Sequence, residues 1–338
     1  MIYSEEIEKS KEFKTNYLKG LEDVITSREK QAEIVRKEYA KDIFKAPEKY
    51  RSELKEMLGW PLVGYEDDFL GVETELLSQE DGYSIYRMQF EILKGLKMTG
   101  LFFKQNGEKK PLVIVQHGGL GTPELVTGMY GNTENYNDML RRVIECGVHA
   151  FLPQLILWDD KYDVKYDRKE IDGRLKRVGS SITAVEVFGI TKILDYFEKE
   201  DYISSFGMVG LSYGGFYTLF TTAIDTRIKS AISCSYFNRR DKYGWSDWVW
   251  QNSSEKFDDA EIACLVYPRK LCIEIGDKDK LFDYKYGVES FEKLKKLCRE
   301  VGTDWVEMIV FDGTHEFCKD DEPIQKLVKD LCERGEKE

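Results

Sequence analysis

No apolar run in the 338-residue chain reaches the roughly 18 residues that a bilayer-spanning helix needs. The first residues, MIYSEEIEKS, lack both the basic start and the apolar stretch of a secretory signal. Positive charge is in deficit: 50 lysines and arginines stand against 62 aspartates and glutamates, a formal net charge of −12. Such a surface attracts neither nucleic acid nor an anionic membrane, so neither is expected as a partner. Acidic and basic residues are interleaved, and the excess reads as a solvated surface. The seven cysteines form no CxxC pair and show no zinc spacing. An odd, unpatterned set reads as reduced thiols and points to the cytoplasm. There is no internal repeat and no low-complexity segment. Histidine is scarcest: the chain has three, His117, His149 and His315, and any imidazole chemistry must use one of them.

What is present describes a globular α/β protein. Apolar residues make up 42% and charged residues 33%, and the length suits one large domain with additions. Residues 1–60 are dense in Glu, Lys and Leu, with apolar positions at helical spacing (Ile34, Val35, Tyr39, Ile43, Phe44). They read as two or three amphipathic helices that either pack on the main domain or form a homodimer contact; packing is the working expectation. Gly59 and Pro61 end the block. From about Gly71, YSIYRMQFEIL and MTGLFFK near-alternate and predict antiparallel strands. After Pro111, six short apolar runs (LVIVQ, HAFLP, FGMVG, SAISC, LCIEI, WVEMIVF) are separated by helical stretches. Continuous runs of this kind suit strands buried on both faces. The prediction is a doubly wound, mostly parallel sheet of about eight strands over residues 61–338.

In such a sheet, sites gather at the carboxyl ends of strands. Four runs carry glycine or polar residues there: His117-Gly118-Gly119, Leu211-Ser212-Tyr213-Gly214, Gly276-Asp277-Lys278-Asp279 and Asp312-Gly313-Thr314-His315. The second reads Gly-x-Ser-x-Gly between a strand and an apolar helix. That pattern holds a nucleophile on a strained turn where flanking side chains would collide with neighbouring backbone. At ordinary Gly and Ser frequencies a chain this long holds roughly 0.1 such matches by chance. A serine needs a base, and the base needs an orienting acid. His315, in a loop after the last strand, is the candidate base; His149, within HAFLP, reads as structural. Asp277 and Asp279 both qualify as the acid in the chain order Ser, Asp, His.

Together GLSYGG, IGDKDKLF and DGTHEF resemble the α/β-hydrolase family in motif, order and spacing over about residues 80–335. TAIDTRIKSAIS and LVYPRKLCIEIGDKD are similar to its dienelactone-hydrolase-like and acetyl-xylan-esterase-related branch, and the N-terminal helical block also resembles esterases of that branch. The resemblance implies the α/β-hydrolase fold and a serine hydrolase of carboxylic esters, acetyl or sugar esters among them. Peptidase or amidase action and a non-catalytic binding role are the alternatives. It implies a triad of Ser212, His315 and Asp279, the family's acid loop Gly-x-x-Asp mapping onto Gly276 and Asp279. It also implies an oxyanion hole from the amides of Tyr213 and Gly119, with Gly118 as the alternative to Gly119. No metal and no cofactor is required, and the partner is a small-molecule ester. The sequence departs from the deacetylases of the branch in having QHGGLG and Tyr213 where they carry Arg-Gly-Gln and Gln. It departs from the dienelactone hydrolases in having Ser for Cys.

Residues 238–262 form an aromatic-rich insertion. Trp245, Trp248 and Trp250 either pack on the core or line the substrate pocket; Trp158, His117 and Gly118 are the other pocket candidates. The acidic stretch WDDKYDVKYDRKEIDG lacks EF-hand spacing and reads as a solvated excursion.

Overall fold

Among the described residues, nine strands form one sheet in the order β1-β2-β3-β5-β4-β6-β7-β8-β9. The computed structural model describes residues 2–60, 71–158 and 164–333. Pro61 and part of the acidic stretch, residues 159–163, lie outside the described residues. The strands are β1 (Val72–Gln79), β2 (Tyr83–Leu93), β3 (Leu96–Gln105), β4 (Lys110–Gln116), β5 (His149–Pro153), β6 (Ile203–Leu211), β7 (Ile228–Cys234), β8 (Lys270–Gly276) and β9 (Val306–Phe311). From β1 to β5 the pairings are antiparallel, and from β5 across to β9 they are parallel.

All six apolar runs are strands; the five inner ones are buried on both faces, whereas β9, at the sheet edge, is half-exposed along most of its length. Leu112 and Ile114 of β4 face one core, while Val113 and Val115 face the other. The additional strand is β1, at the sheet edge. Five consecutive residues of it are exposed, so no apolar alternation marks it.

Among the described residues, eleven α-helices connect and flank the strands. They are α1 (Ile7–Tyr39), α2 (Pro47–Leu58), α3 (Pro123–Val126), α4 (Met139–Glu145), α5 (Arg168–Arg177), α6 (Ile182–Phe197), α7 (Tyr213–Ile224), α8 (Ser253–Lys256), α9 (Asp259–Cys264), α10 (Tyr284–Leu297) and α11 (Glu322–Cys332). Helices α6, α7, α9 and α10 share the larger core with α2, and α3, α4 and α11 pack on the opposite face. All twelve residues of α7 are buried, which suits a crossover at the centre of the sheet. Ser181 caps α6 by accepting from the Ala184 amide, and Asp258 with Glu261 forms a capping box on α9.

The two N-terminal helices differ. Helix α2 is fastened to the body: Arg51, itself buried, donates to the carbonyls of Ala223 (3.0 Å) and Leu265 (2.8 Å). Helix α1 touches the body through its last third, where Arg36 lies 3.5 Å from Glu261 and Tyr39 meets Phe257 edge-on. Its residues 7–31 are all exposed.

Three buried groups make stability depend on pH in opposing senses. Burial lowers His117 and His149 to about 4 and pushes Glu274 up to about 7 from 4.5. Unfolded histidines take up protons that the folded ones refuse, so their contribution is full above about 6.5 and is lost as pH falls toward 4. An unfolded Glu274 releases a proton that the folded one keeps, so its contribution is full below about 4.5 and is lost as pH rises to 7. One carboxylate oxygen of Glu274 has no hydrogen-bond partner in the interior. Glu274→Gln, neutral throughout, should therefore gain on wild type between pH 4.5 and 7.5 by on the order of 3 kcal/mol. Denaturant unfolding of both proteins at several pH values measures this. A difference independent of pH would mean that Glu274 is ionised in the fold.

Candidate active site

The chain leaves β6 and turns sharply into α7 at Ser212, whose backbone stands at φ 60°, ψ −121°. This conformation costs a non-glycine residue about 1–3 kcal/mol. The flanking glycines are required by close approach. A Cβ on Gly210 would lie 2.3 Å from the carbonyl oxygen of Gly214, and one on Gly214 would lie 2.1 Å from that of Gln116. The Ser212 amide donates to Cys234 at the end of β7 (2.9 Å). Its side chain forms no hydrogen bond among the described residues, so the hydroxyl is unengaged.

The loop carrying His315 is tied to the same place. The Glu316 carbonyl accepts from Ser235 Oγ (3.2 Å) and Cys234 Sγ (3.4 Å), directly after the carbonyl that holds Ser212. From the other side Asn135 donates to the His315 carbonyl (2.9 Å), and Asn137 donates to that of Phe317 (2.7 Å). His315 Nδ1 lies 2.8 Å from Asp279 Oδ2. The Asp279 carboxylate is wholly buried, whereas the imidazole is 24% exposed. The other oxygen of Asp279 accepts from the amides of Leu281 (2.8 Å) and Phe282 (3.0 Å). A carboxylate held this way accepts from Nδ1–H and leaves the Nε2 lone pair free. Of the two aspartates left open by the sequence, Asp279 faces the histidine. Asp277 is exposed and accepts from the Gly313 amide (3.3 Å).

The glycine turn after β4 separates its two candidate donors. The Gly118 amide is occupied, donating to Tyr136 Oη at 2.9 Å. The amides of Gly119 and Tyr213 have no partner among the described residues. Gly119 lies against Trp158; a Cβ there would meet the indole at 2.8 Å. His117 is a strut of this turn: Nδ1 bonds the Gly118 carbonyl (2.9 Å) and Nε2 accepts from the Leu155 amide (3.0 Å). It is 1% exposed and offers no surface to a ligand.

Aromatic rings run from the turn to the histidine. Trp158 meets the Tyr213 ring edge-on at 4.9 Å, Trp245 stacks on Tyr213 at 5.6 Å, and Trp245 contacts Phe282. Phe282 in turn lies 5.6 Å from the His315 ring. Trp158 is 38% exposed and Trp245 partly so. The other two tryptophans are interior. Trp248 lies among Tyr213, Phe216 and Tyr236, and Trp250 stacks on Phe216 and lies tilted against Phe220. These two carry the packing half of the sequence reading, because their rings are enclosed on the α7 side.

Beneath the aromatic wall lies a charge network that the sequence reading missed. Buried Arg168 donates to Asp247 (2.9 Å), to both oxygens of Glu186 (3.2 and 3.0 Å) and to Tyr217 Oη (2.8 Å). Tyr213 donates its hydroxyl to Asp247 (3.0 Å), and the Ile156 amide donates to Glu186 (2.8 Å). One guanidinium thus fixes the segment leading to Trp158, the insertion and the ring of Tyr213. The available signal was Glu186, a lone carboxylate within the apolar helix ITAVEVFGI. Arg168 itself was lost in the acidic stretch read as solvated.

A mixed, mostly parallel sheet flanked by helices in this way has known counterparts. A crystal structure from Bacteroides fragilis, described as a "putative acetyl xylan esterase", superposes with a TM-score of 0.65 at 16% identity, covering 79% of this chain and 74% of its own. The chain has the α/β-hydrolase fold. A glucuronoyl esterase from Solibacter usitatus superposes with a TM-score of 0.61 at 13% identity, covering 84% of this chain and 92% of that one. In sequence, the Bacillus subtilis protein named "Putative hydrolase YtaP" is 24% identical over 243 residues, 66% of this chain and 79% of YtaP. No family model matches the chain. At these identities the α/β-hydrolase likeness concerns the fold. Among the described residues no cluster of His, Cys, Asp or Glu is arranged to hold a metal ion, and no helix is long and apolar enough to cross a membrane.

Proposed function

We propose that the protein is a serine hydrolase of small carboxylic esters. The observation that carries this reading is the strained, unengaged Ser212 at the head of α7, held at the end of β7 where the loop of His315 is also tied, with His315 Nδ1 held by buried Asp279. Ser212 Oγ attacks the ester carbonyl while His315 Nε2 takes its proton. Asp279 keeps the imidazole in the required tautomer and stabilises its cation. The negative oxygen of the tetrahedral intermediate is held by the Tyr213 and Gly119 amides, each worth about 2.7–4 kcal/mol. His315 returns the proton to the departing alcohol. A water, deprotonated in the same way, then releases the acid from Ser212.

An ester is favoured by the company the fold keeps, since its structural neighbours carry the names acetyl xylan esterase and glucuronoyl esterase. The half-exposed rings of Trp158 and Trp245 suit an alcohol portion that stacks on them. Sugar esters are therefore the substrate class to follow simple acyl esters. All seven cysteines are unpaired, which supports a reducing compartment, the cytoplasm.

A fluorophosphonate probe should label the folded protein at Ser212 alone, and p-nitrophenyl acetate should be turned over. Faster release of p-nitroaniline from aminoacyl anilides would make the protein an amidase instead. No labelling of folded protein would leave the fold without this chemistry.

A further inference from the structure

The apolar face of α1 extends past the body that covers its last third. At 3.6 residues per turn, Phe13, Tyr17, Leu18, Leu21, Val24 and Ile25 fall within an arc of about 140°. Each is between 41% and 75% exposed. Ala32, Arg36 and Tyr39, which meet the insertion, project from the same arc. The stripe is therefore continuous, and its first 19 residues, about 28 Å of helix, run on where the body has ended. An isolated helix draws little stability from propensity alone, and a stripe of this width is the kind that a partner covers.

Charge along the segment identifies that partner. Residues 7–19 carry four lysines and two glutamates, whereas residues 20–31 carry three acidic and two basic residues. Two such helices side by side and parallel would oppose like halves. Antiparallel, each basic half faces the other's acidic half. The segment is thus complementary to itself under two-fold rotation, the commonest symmetry of homo-oligomers. We propose that residues 7–31 of α1 pair antiparallel with the same segment of a second copy. With roughly 100 Å² for each of the six side chains, the pairing covers about 600 Å² per protomer before flanking stems are added, near the ~800 Å² of a standard interface.

Sedimentation velocity over about 1–100 µM protein, the range bracketing a micromolar constant, tests this. Wild type is expected to be a dimer. Leu18→Glu combined with Leu21→Glu should weaken it at least about tenfold, with unchanged circular dichroism and unchanged fluorophosphonate labelling at Ser212. Orientation is read by charge. Replacing Lys9, Lys11, Lys14 and Lys19 by Glu should weaken the dimer, and further replacing Glu22, Asp23 and Glu29 by Lys should restore it. A parallel pair would not respond in this way. A wild type monomeric at about 100 µM, including one that binds anionic vesicles as a monomer, overturns the proposal. So does a dimer indifferent to Leu18 and Leu21.

Discussion

Ser212→Ala is expected to leave less than about one part in 10⁴ of wild-type ester turnover, with thermal stability preserved or slightly raised. Losses for the nucleophile of a serine triad run to about 10⁶, because His315 and the two amides have nothing to act on once the attacking oxygen is gone. Structural collapse is not the cause of such a loss. Alanine removes only Oγ, which bonds to no protein group among the described residues, and the Ser212 amide still reaches Cys234. The strained φ of 60° is borne by the backbone and persists in the variant. Initial rates on p-nitrophenyl acetate, with a thermal melt of the same sample, decide the matter. A variant retaining more than about a tenth of the rate would remove Ser212 from the chemistry.

Asp279→Asn should lower kcat by about 10³–10⁴, with a much smaller change in KM. The carboxylate accepts three hydrogen bonds, two from the Leu281 and Phe282 amides and one from His315 Nδ1. An asparagine oxygen can continue to accept from the two amides, so the loop stays in place. Its NH₂ then faces Nδ1 and forces the proton onto Nε2, leaving no lone pair toward Ser212. The transition state also loses the charge that stabilises the imidazolium. Asp277→Asn is the contrasting variant. That side chain is exposed and meets the Gly313 amide, not the imidazole, so turnover should change by less than about tenfold. Equal losses in the two variants would put the acid assignment in error.

Much of the sheet was legible because parallel strands buried on both faces are locally unmistakable. LVIVQ, HAFLP and SAISC each place apolar residues side by side, and each became a strand near its expected limits. The edge strand β1 was not marked, since VETELLSQ is exposed along most of its length and needs no apolar pattern. Ser212, Asp279 and His315 could be picked out because each lies directly after a strand, where a site must open. The preference for Gly119 over Gly118 rested on the family resemblance and had no support from local pattern. The choice turned on Tyr136, a ring 18 residues away whose hydroxyl occupies the Gly118 amide.

The tryptophans followed the same logic. Trp245, Trp248 and Trp250 sit within six residues, and spacing gives each the same claim to a pocket. Only packing against Phe216 of α7 separates the two enclosed rings from the partly exposed one. Arg168 was hidden for a related reason, because a guanidinium among acidic neighbours in sequence looks solvated until Glu186 and Asp247 arrive from distant segments.

The sequence by itself determined every strand but the edge strand β1, their order along the chain, and the glycine-flanked serine with its later Asp and His. These follow from local periodicity and from the backbone freedom of glycine. The tertiary structure decided that β5 lies between β3 and β4, which amides stay free, which aspartate meets His315, and how far α1 reaches beyond the body. Each of those depends on contacts between residues far apart in the chain, and no local pattern encodes which distant partner arrives.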